Sequence, residues 1–350
     1  MTLARTLLAW YDAHRRDLPW RRRSDPYAVW VSEIMLQQTR VETVLRYYEP
    51  FLARFPTVER LAMAEQDEIL ASWSGLGYYR RARNLHRAAR EIVAAGGRLP
   101  NTATEWRRLP GIGEYTAAAI ASIAHGEPVP VLDGNVERVL ARRLALEGDP
   151  KQAANRQKLL RAAGELLTAE RPGDSNQAMM ELGATVCTPR APTCLLCPLS
   201  GGCRARQAGQ PEFYPPPRKR PATVKQRRLV AVVTDDDRFL LYRRAGSERL
   251  LAETWELPWV ESDAEEHAAE ALSRRYGGGT WTLGESLGTA RHSITNRSIT
   301  ADVHRATLDA APDELADGPS AAWLTNSEIA ERPVSSLVGK ALAIWFRSRG

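Results

Sequence analysis

Four cysteines carry the most legible chemistry in this sequence. Cys187, Cys194, Cys197 and Cys203 are its only cysteines, and they fall in one window with the spacing Cys-x6-Cys-x2-Cys-x5-Cys. Thiolates are soft ligands, so four converging ones suit an iron–sulfur cluster or zinc. Secreted disulfide proteins spread their cysteines along the chain, whereas a clustered set reads as a metal site. Zinc ribbons pair two short Cys-x2-Cys knuckles across a longer gap. Only one such knuckle occurs here, and the loop fits a cubane cluster better than zinc.

Two glycines and two carboxylates complete the set. Leu109-Pro110-Gly111-Ile112-Gly113 precedes an alanine-rich stretch, 115–124, that favours helix. Gly111 and Gly113 free the backbone for a tight hairpin. The N-terminus of the helix that follows exposes N–H groups, which grip phosphate without reading sequence. A Gly-x-Gly by itself is often only a turn between helices. Glu33 lies in Ser32-Glu33-Ile34-Met35-Leu36-Gln37-Gln38-Thr39-Arg40 and shares a helix face with Val29, Trp30 and Leu36. A carboxylate against apolar groups has a raised pKa, which suits a general acid, although most helix glutamates simply face water. Asp133, in Val131-Leu132-Asp133-Gly134-Asn135-Val136, follows Pro128 and Pro130 and opens a helix carrying Arg138, Arg142 and Arg143. Capping is a common role for aspartate.

These residues need elements to position them. A chain of 350 residues is too long for one ordinary core, so two or three domains are expected. The net charge of +6 and a pI of about 9.3 suggest a polyanionic partner such as nucleic acid. Arginine supplies nearly all the positive charge. There are five lysines, Lys151, Lys158, Lys219, Lys225 and Lys340, and none in the first 150 residues. The N-terminus, MTLARTLLAWYDAHRR, reads as an amphipathic helix, neither signal peptide nor membrane span. With reduced cysteines, the expected location is the cytoplasm or nucleoid.

Residues 1–205 read as nearly all helix, with apolar residues at helical spacing such as Leu61, Ile69, Leu70 and Trp73. Pro211 to Pro221 holds five prolines and the run Arg218-Lys219-Arg220, which reads as a semi-rigid connector. From Leu229 the pattern switches to period two, with LVAVVT, a DDD turn and RFLLYRR. Further strands are expected at Trp281–Leu283 and Ile299–Val303, and helices near 264–276 and 335–348. This is a smaller α+β domain.

A Gly-x-Gly hairpin upstream of a four-cysteine loop, in a basic helical chain, resembles the helix-hairpin-helix, iron–sulfur DNA glycosylases related to endonuclease III. The resemblance covers residues 1–205. It implies a mainly α helix-hairpin-helix core whose four cysteines hold a [4Fe-4S] cluster. Residues 1–22 and 130–205 would form the cluster domain, 23–129 a six-helix domain with the hairpin, 206–227 a linker, and 228–350 a Nudix-like lesion-recognition domain. Lyase-type members carry a lysine at the position of Tyr115, which attacks the sugar as a Schiff-base nucleophile. With Tyr115 there instead, hydrolytic base removal is expected.

The Ser32–Arg40 run, preceded by Asp25-Pro26-Tyr27, is similar to the motif of the adenine DNA glycosylase (MutY) family. That resemblance implies that Glu33 protonates the departing adenine. Asp133 would stabilise the sugar cation, with Asn135 orienting it and Tyr115 hydrogen-bonding beside them. An N-glycosidic bond breaks through an oxocarbenium-like state, which a neighbouring carboxylate favours. Leu76 and Tyr78, in Leu76-Gly77-Tyr78-Tyr79-Arg80, resemble wedge residues around the lesion's stack. Gln38 and Thr39 resemble the groups that fill and line the gap left by the flipped base. Arg80, Arg81, Arg83, Arg87 and Arg90 are expected on one basic helix face.

The C-terminal residues Leu240-Leu241-Tyr242-Arg243-Arg244 and Thr254-Trp255-Glu256-Leu257-Pro258-Trp259 resemble the Nudix-related domain of the same family, which reads 8-oxoguanine. The helix from Glu266 to Arg275 lacks the magnesium-binding Arg-Glu-x-x-Glu-Glu core, so pyrophosphohydrolase activity is not expected. Where the family commonly has Phe-Ser-His, this chain has Ile294-Thr295-Asn296. Thr295 replaces a serine hydroxyl, and Asn296 offers donors and an acceptor. The expected protein is a monomeric, monofunctional glycosylase acting on double-stranded DNA with adenine opposite 8-oxoguanine or guanine. An endonuclease III-like glycosylase-lyase for oxidised pyrimidines is opposed by the missing hairpin lysine and the extra domain. A non-catalytic iron–sulfur DNA-binding protein would need neither Glu33 nor Asp133.

Overall fold

A computed structural model describes all residues except 1, 217–221, 249, 262–266, 278, 295, 311–319 and 350. The basic run of the expected connector and Thr295 therefore lie outside the described residues. The chain forms two compact units, Met1–Met63 with Asn84–Lys219, and Ala64–Arg83 with Arg220–Gly350.

The first unit is helical. The helix Pro26–Leu36 begins where Asp25 accepts the N–H groups of Tyr27 and Ala28, with Pro26 at its first position. Every residue from Tyr27 to Met35 is buried, so this helix runs through the core and carries Glu33 inward with it. The helix Glu114–His125 follows Gly113 and ends at Gly126, whose φ of +69° lets its N–H turn back to Ala121 and Ser122. Asp133 caps the helix Gly134–Leu144 through Asn135 and Val136. The helix Pro172–Thr185 packs against both, and Leu7, Tyr11, Ala118, Val136, Leu140, Met179 and Leu182 share one core. A Cβ on Gly183 would lie 2.6 Å from the Asn135 Cβ. The missing side chain thus allows the approach that seats Asn135.

The second unit is built on a seven-stranded sheet: β1 (Val224–Asp235), β2 (Arg238–Arg243), β3 (Trp255–Glu256), β4 (Trp259–Glu261), β5 (Trp281–Ile294), β6 (Arg297–Leu308) and β7 (Ala321–Thr325). The order is β3-β2-β1-β6-β5, with β4 paired to β1 and β7 to β2. β1 and β6 are parallel, and the other pairs are antiparallel. Alternation sends Val230, Val232 and Leu241 to one face under the helix Ser336–Arg347, and Leu229, Ala231 and Val233 to the other under the helix Ala268–Tyr276. β5 and β6 run well beyond the expected Trp281–Leu283 and Ile299–Val303. β5 is polar, contains Gly284 and Gly288, and has register shifts between Leu283 and Gly288. It is held by its ladder with β6 and shows no alternation of its own. Within this unit Asp67 pairs with Arg243 at 2.7 Å, and Tyr79 Oη donates to the Val334 carbonyl at 2.6 Å. Among the described residues, no helix is long and apolar enough to cross a membrane.

Candidate active site

In the first unit one cavity is lined by Glu33, Thr39, Tyr115, Asp133, Asn135 and Met180, together with Arg16, Arg21 and Glu181. Three elements deliver the two carboxylates and the tyrosine: the buried helix Pro26–Leu36, the start of the helix after the glycine hairpin, and the cap of Gly134–Leu144. Tyr115 Oη lies 2.9 Å from Glu33 Oε2, its acceptor, and 3.2 Å from Met180 Sδ. Glu33 is 5% exposed, and burial pushes its carboxyl up to about 7. The Tyr115 hydrogen bond and Arg21 oppose that rise, and Asp133 adds to it. Burial also raises Asp133, against the N–H groups of Val136 (2.7 Å) and Asn135 (3.0 Å), the Asn135 side-chain amide (3.0 Å) and the charge of Arg138. The two acids thus differ. Glu33 gains its proton near neutral pH, while Asp133 is embraced by donors that favour its anion.

The same cavity holds a cluster that sequence reasoning missed. Glu181, 1% exposed, accepts the guanidinium of Arg16 at 2.8 Å and of Arg21 at 2.7 Å. Burial alone would raise this carboxyl, but the two arginines hold it down to about 2. Glu181 is therefore a permanent anion in the cavity wall, its two oxygens taken up by Arg16 and Arg21. Its partners stand 160 and 165 positions away in sequence, which no local spacing can reveal.

Gln38 and Thr39 separate in the structure. Thr39 lines the cavity, whereas Gln38 is exposed just past the helix end, with φ +56°. On the hairpin, Gly111 has φ +77°, and a Cβ there would meet the Asn84 side chain at 2.7 Å. Gly113 is extended and its Cβ position opens onto empty space. Gly111 makes the turn, and Gly113 leaves the approach to the helix N-terminus uncovered.

In the second unit, Leu76 is buried (5%) and Tyr78 is 45% exposed. Of the five arginines expected on one basic face, Arg80, Arg87 and Arg90 are exposed and Arg83 is half-buried. Arg81 is buried. Positions 80, 83, 87 and 90 follow a helical stripe, and 81 falls about 100° away from 80. Asn296 donates its amide to the Ala222 carbonyl at 3.0 Å, and Thr295 lies outside the described residues. Arg275 lies over the Trp259 ring at 3.9 Å and 3.5 Å from Glu256. The helix Ala268–Tyr276 carries Arg274 and Arg275 in its last turn.

All four cysteines line a second cavity of the first unit, with Arg142, Val186, Pro192 and Pro211. Arg142 lies 3.4 Å from Cys187 Sγ and also donates to the carbonyls of Thr188 and Pro189. No three His, Cys, Asp or Glu side chains among the described residues are arranged to hold a single metal ion. Four thiols around one cavity, with a guanidinium beside Cys187, make a soft, charge-complemented donor set.

Residues 31–164 match the HhH-GPD superfamily of base excision DNA repair proteins, and residues 229–343 match a NUDIX domain. The chain is 38% identical to the adenine DNA glycosylase of Homo sapiens, over 97% of this chain and 73% of that protein. This chain belongs to the adenine DNA glycosylase family. The Mus musculus adenine DNA glycosylase is likewise 38% identical, across 97% of this chain and 77% of its own length. A thermostable thymine-DNA glycosylase structure superposes with TM-score 0.54 and 30% identity, covering 59% of this chain and 95% of that one. Membership of this family places the helix-hairpin-helix core and the Nudix-like sheet in one DNA-repair enzyme.

Proposed function

We infer that this chain is a monofunctional glycosylase that hydrolyses the N-glycosidic bond of adenine in double-stranded DNA, opposite 8-oxoguanine or guanine. The observation that carries the reading is the pairing of Glu33, poised near neutrality, with Asp133, set among donors, in a cavity whose lining includes no lysine. Glu33 in its acid form gives its proton to the departing base, which then leaves as a neutral molecule. The Asp133 anion stabilises the sugar cation that remains, and water closes the reaction. Asn135 fixes Asp133, and Tyr115 fixes Glu33. Thr39 lines the pocket of the flipped adenine, and Gln38 faces the gap it leaves. Gly111 and Gly113 present backbone N–H groups to phosphate, and Tyr78 enters the stack, with Leu76 beneath it. Thr295 and Asn296 belong to the loop that reads the opposite base.

The four cysteines would hold a [4Fe-4S] cluster. The cationic Arg142 and a cavity shared by all four thiols support this. Bound there, the cluster supplies a cross-link for the 187–203 loop and no step of base removal. The expected working form is a monomer on nucleoid DNA in the cytoplasm. The decisive assay uses duplexes with adenine opposite 8-oxoguanine, adenine opposite guanine, and thymine glycol, each with and without alkali. Adenine release on the first two and none on the third is expected. Activity on thymine glycol alone would overturn the reading.

A further inference from the structure

The loop that bears Tyr78 is built around a buried cation. Arg81 is 8% exposed, and burial lowers its guanidinium to about 10. Its Nη2 donates to the carbonyls of Leu76 at 3.3 Å and Gly77 at 3.1 Å. The Gly77 carbonyl also accepts the Trp73 indole N–H at 3.2 Å. The guanidinium carbon lies 5.4 Å from the Trp73 ring centre and 5.5 Å from that of Tyr78. One side chain therefore ties two successive carbonyls of the loop to the rings on either side of it.

The backbone explains why such a brace is needed. Gly75 and Gly77 have φ of +95° and +72°, and Tyr78 itself sits at +51°. An L-residue with a ring rarely occupies that region, and does so only where its surroundings over-determine it. Trp73 and Leu76 are buried beneath the loop, and Tyr78 projects from it. Relaxing Tyr78 to ordinary β or α geometry would swing its ring away from that projection. An arginine suits the task because Nη2 reaches both carbonyls while the planar guanidinium lies near the aromatic rings; lysine offers a point charge with no planar face.

We propose that Arg81 is a positioning residue for base extrusion: it holds Tyr78 in its left-handed conformation so that the ring enters the base stack. This rests on the reading of Tyr78 as the wedge. Arg81 acts through Tyr78 and touches neither the scissile bond nor the departing base. Its contribution is made when the adenine leaves the helix, before Glu33 acts.

The test measures single-turnover adenine excision and the fluorescence of a 2-aminopurine placed beside the target. It uses wild type, Arg81→Met, Arg81→Lys, Tyr78→Ala and the double variant Tyr78→Ala/Arg81→Met. Each is run on an ordinary duplex and on one whose target adenine is already unstacked beside an abasic neighbour. Arg81→Met is expected to lose at least about tenfold in excision on the ordinary duplex. It should also give a weaker extrusion signal, and most of its loss should be recovered on the unstacked duplex. Arg81→Lys keeps charge and stem, disturbs folding less, and should show the same pattern at smaller size. The double variant should be no slower than Tyr78→Ala. Equal losses of the Arg81 variants on both duplexes, or multiplied losses in the double variant, would overturn the proposal. The wedge reading is tested separately: it fails if Tyr78→Ala alone extrudes and excises like wild type.

Discussion

Tyr115 and Glu33, 82 positions apart in sequence, are joined by a 2.9 Å hydrogen bond from the phenol Oη to Glu33 Oε2. The bond engages one carboxyl oxygen, Oε2, of a residue that lines the cavity. Glu33→Gln preserves size and can still accept from Tyr115, but an amide is no acid. Its excision rate should fall by at least ~100-fold, the usual scale for a general acid. Affinity for duplex carrying adenine opposite 8-oxoguanine should stay close to wild type. Single-turnover excision and a gel-shift titration on the same DNA check both halves. Excision near the wild-type rate would remove Glu33 from the mechanism.

The raised Glu33 pKa gives the reaction a pH signature. Glu33 must be protonated to act, so the rate should decline as pH rises through about 7. Tyr115→Phe removes a hydrogen bond that lowers this pKa, so it should move the declining limb to higher pH. Stability follows from the same shift. Between the ordinary value of 4.5 and about 7, the folded state binds a proton that the unfolded chain has released. The associated stability is present at the lower end of that window and is lost as pH rises through it. Glu181 runs the other way: its carboxyl is held at about 2, so its stability is present above 4.5 and is lost as pH falls below that value. Urea melts at pH 5 and pH 7.5 should show Glu33→Gln closing the gap between the two conditions. An unchanged gap would mean that Glu33 does not titrate in this range.

Product chemistry separates this site from a lyase. No amine lines the cavity, and the position on the hairpin helix is Tyr115. Wild type should leave an intact abasic strand that breaks only with alkali or heat, and borohydride should trap no covalent adduct. Tyr115→Lys places an amine beside Glu33 and should produce some borohydride-trappable complex. Efficient trapping by the wild type would sink the hydrolytic reading.

The sequence made some of this site legible and hid the rest for physical reasons. Asp133 was readable because a cap is a local event: its carboxylate binds N–H groups two and three residues ahead. The helix under Glu33 was readable from Val29, Trp30 and Leu36, which share its face at helical spacing. The four cysteines were readable because a ligand loop is short. Arg16, Arg21 and Glu181 were not, because their meeting depends on how Pro172–Thr185 packs against the N-terminal helix. Arg81 resembled its basic neighbours in sequence, and only the helical turn sets it inward. β5 was underestimated because a strand held by its ladder need not alternate.

The capping carboxylate is also tied to the cysteine loop. The Asn135 amide donates to Asp133 Oδ2 at 3.0 Å, and Arg138 Nη2 donates to Asn135 Oδ1 at 2.9 Å. The same guanidinium reaches the carbonyls of Cys187 at 2.8 Å through Nε and Gly183 at 2.8 Å through Nη2. All three of these contacts are to positioned acceptors, so Arg138→Lys cannot reproduce the fork. The variant should fold and retain its iron, expected at about four per chain in a brown protein, yet excise adenine roughly 10-fold more slowly because Asp133 loses its orientation. DNA affinity should change less than the rate. Cys194→Ser acts within the cysteine loop itself: it should lose iron and slow excision together. Iron analysis, visible absorbance and single-turnover rates on the same preparations discriminate the cases. A wild-type rate for Arg138→Lys would mean that Asp133 is held by its cap alone, and stoichiometric zinc without iron would exclude the cluster.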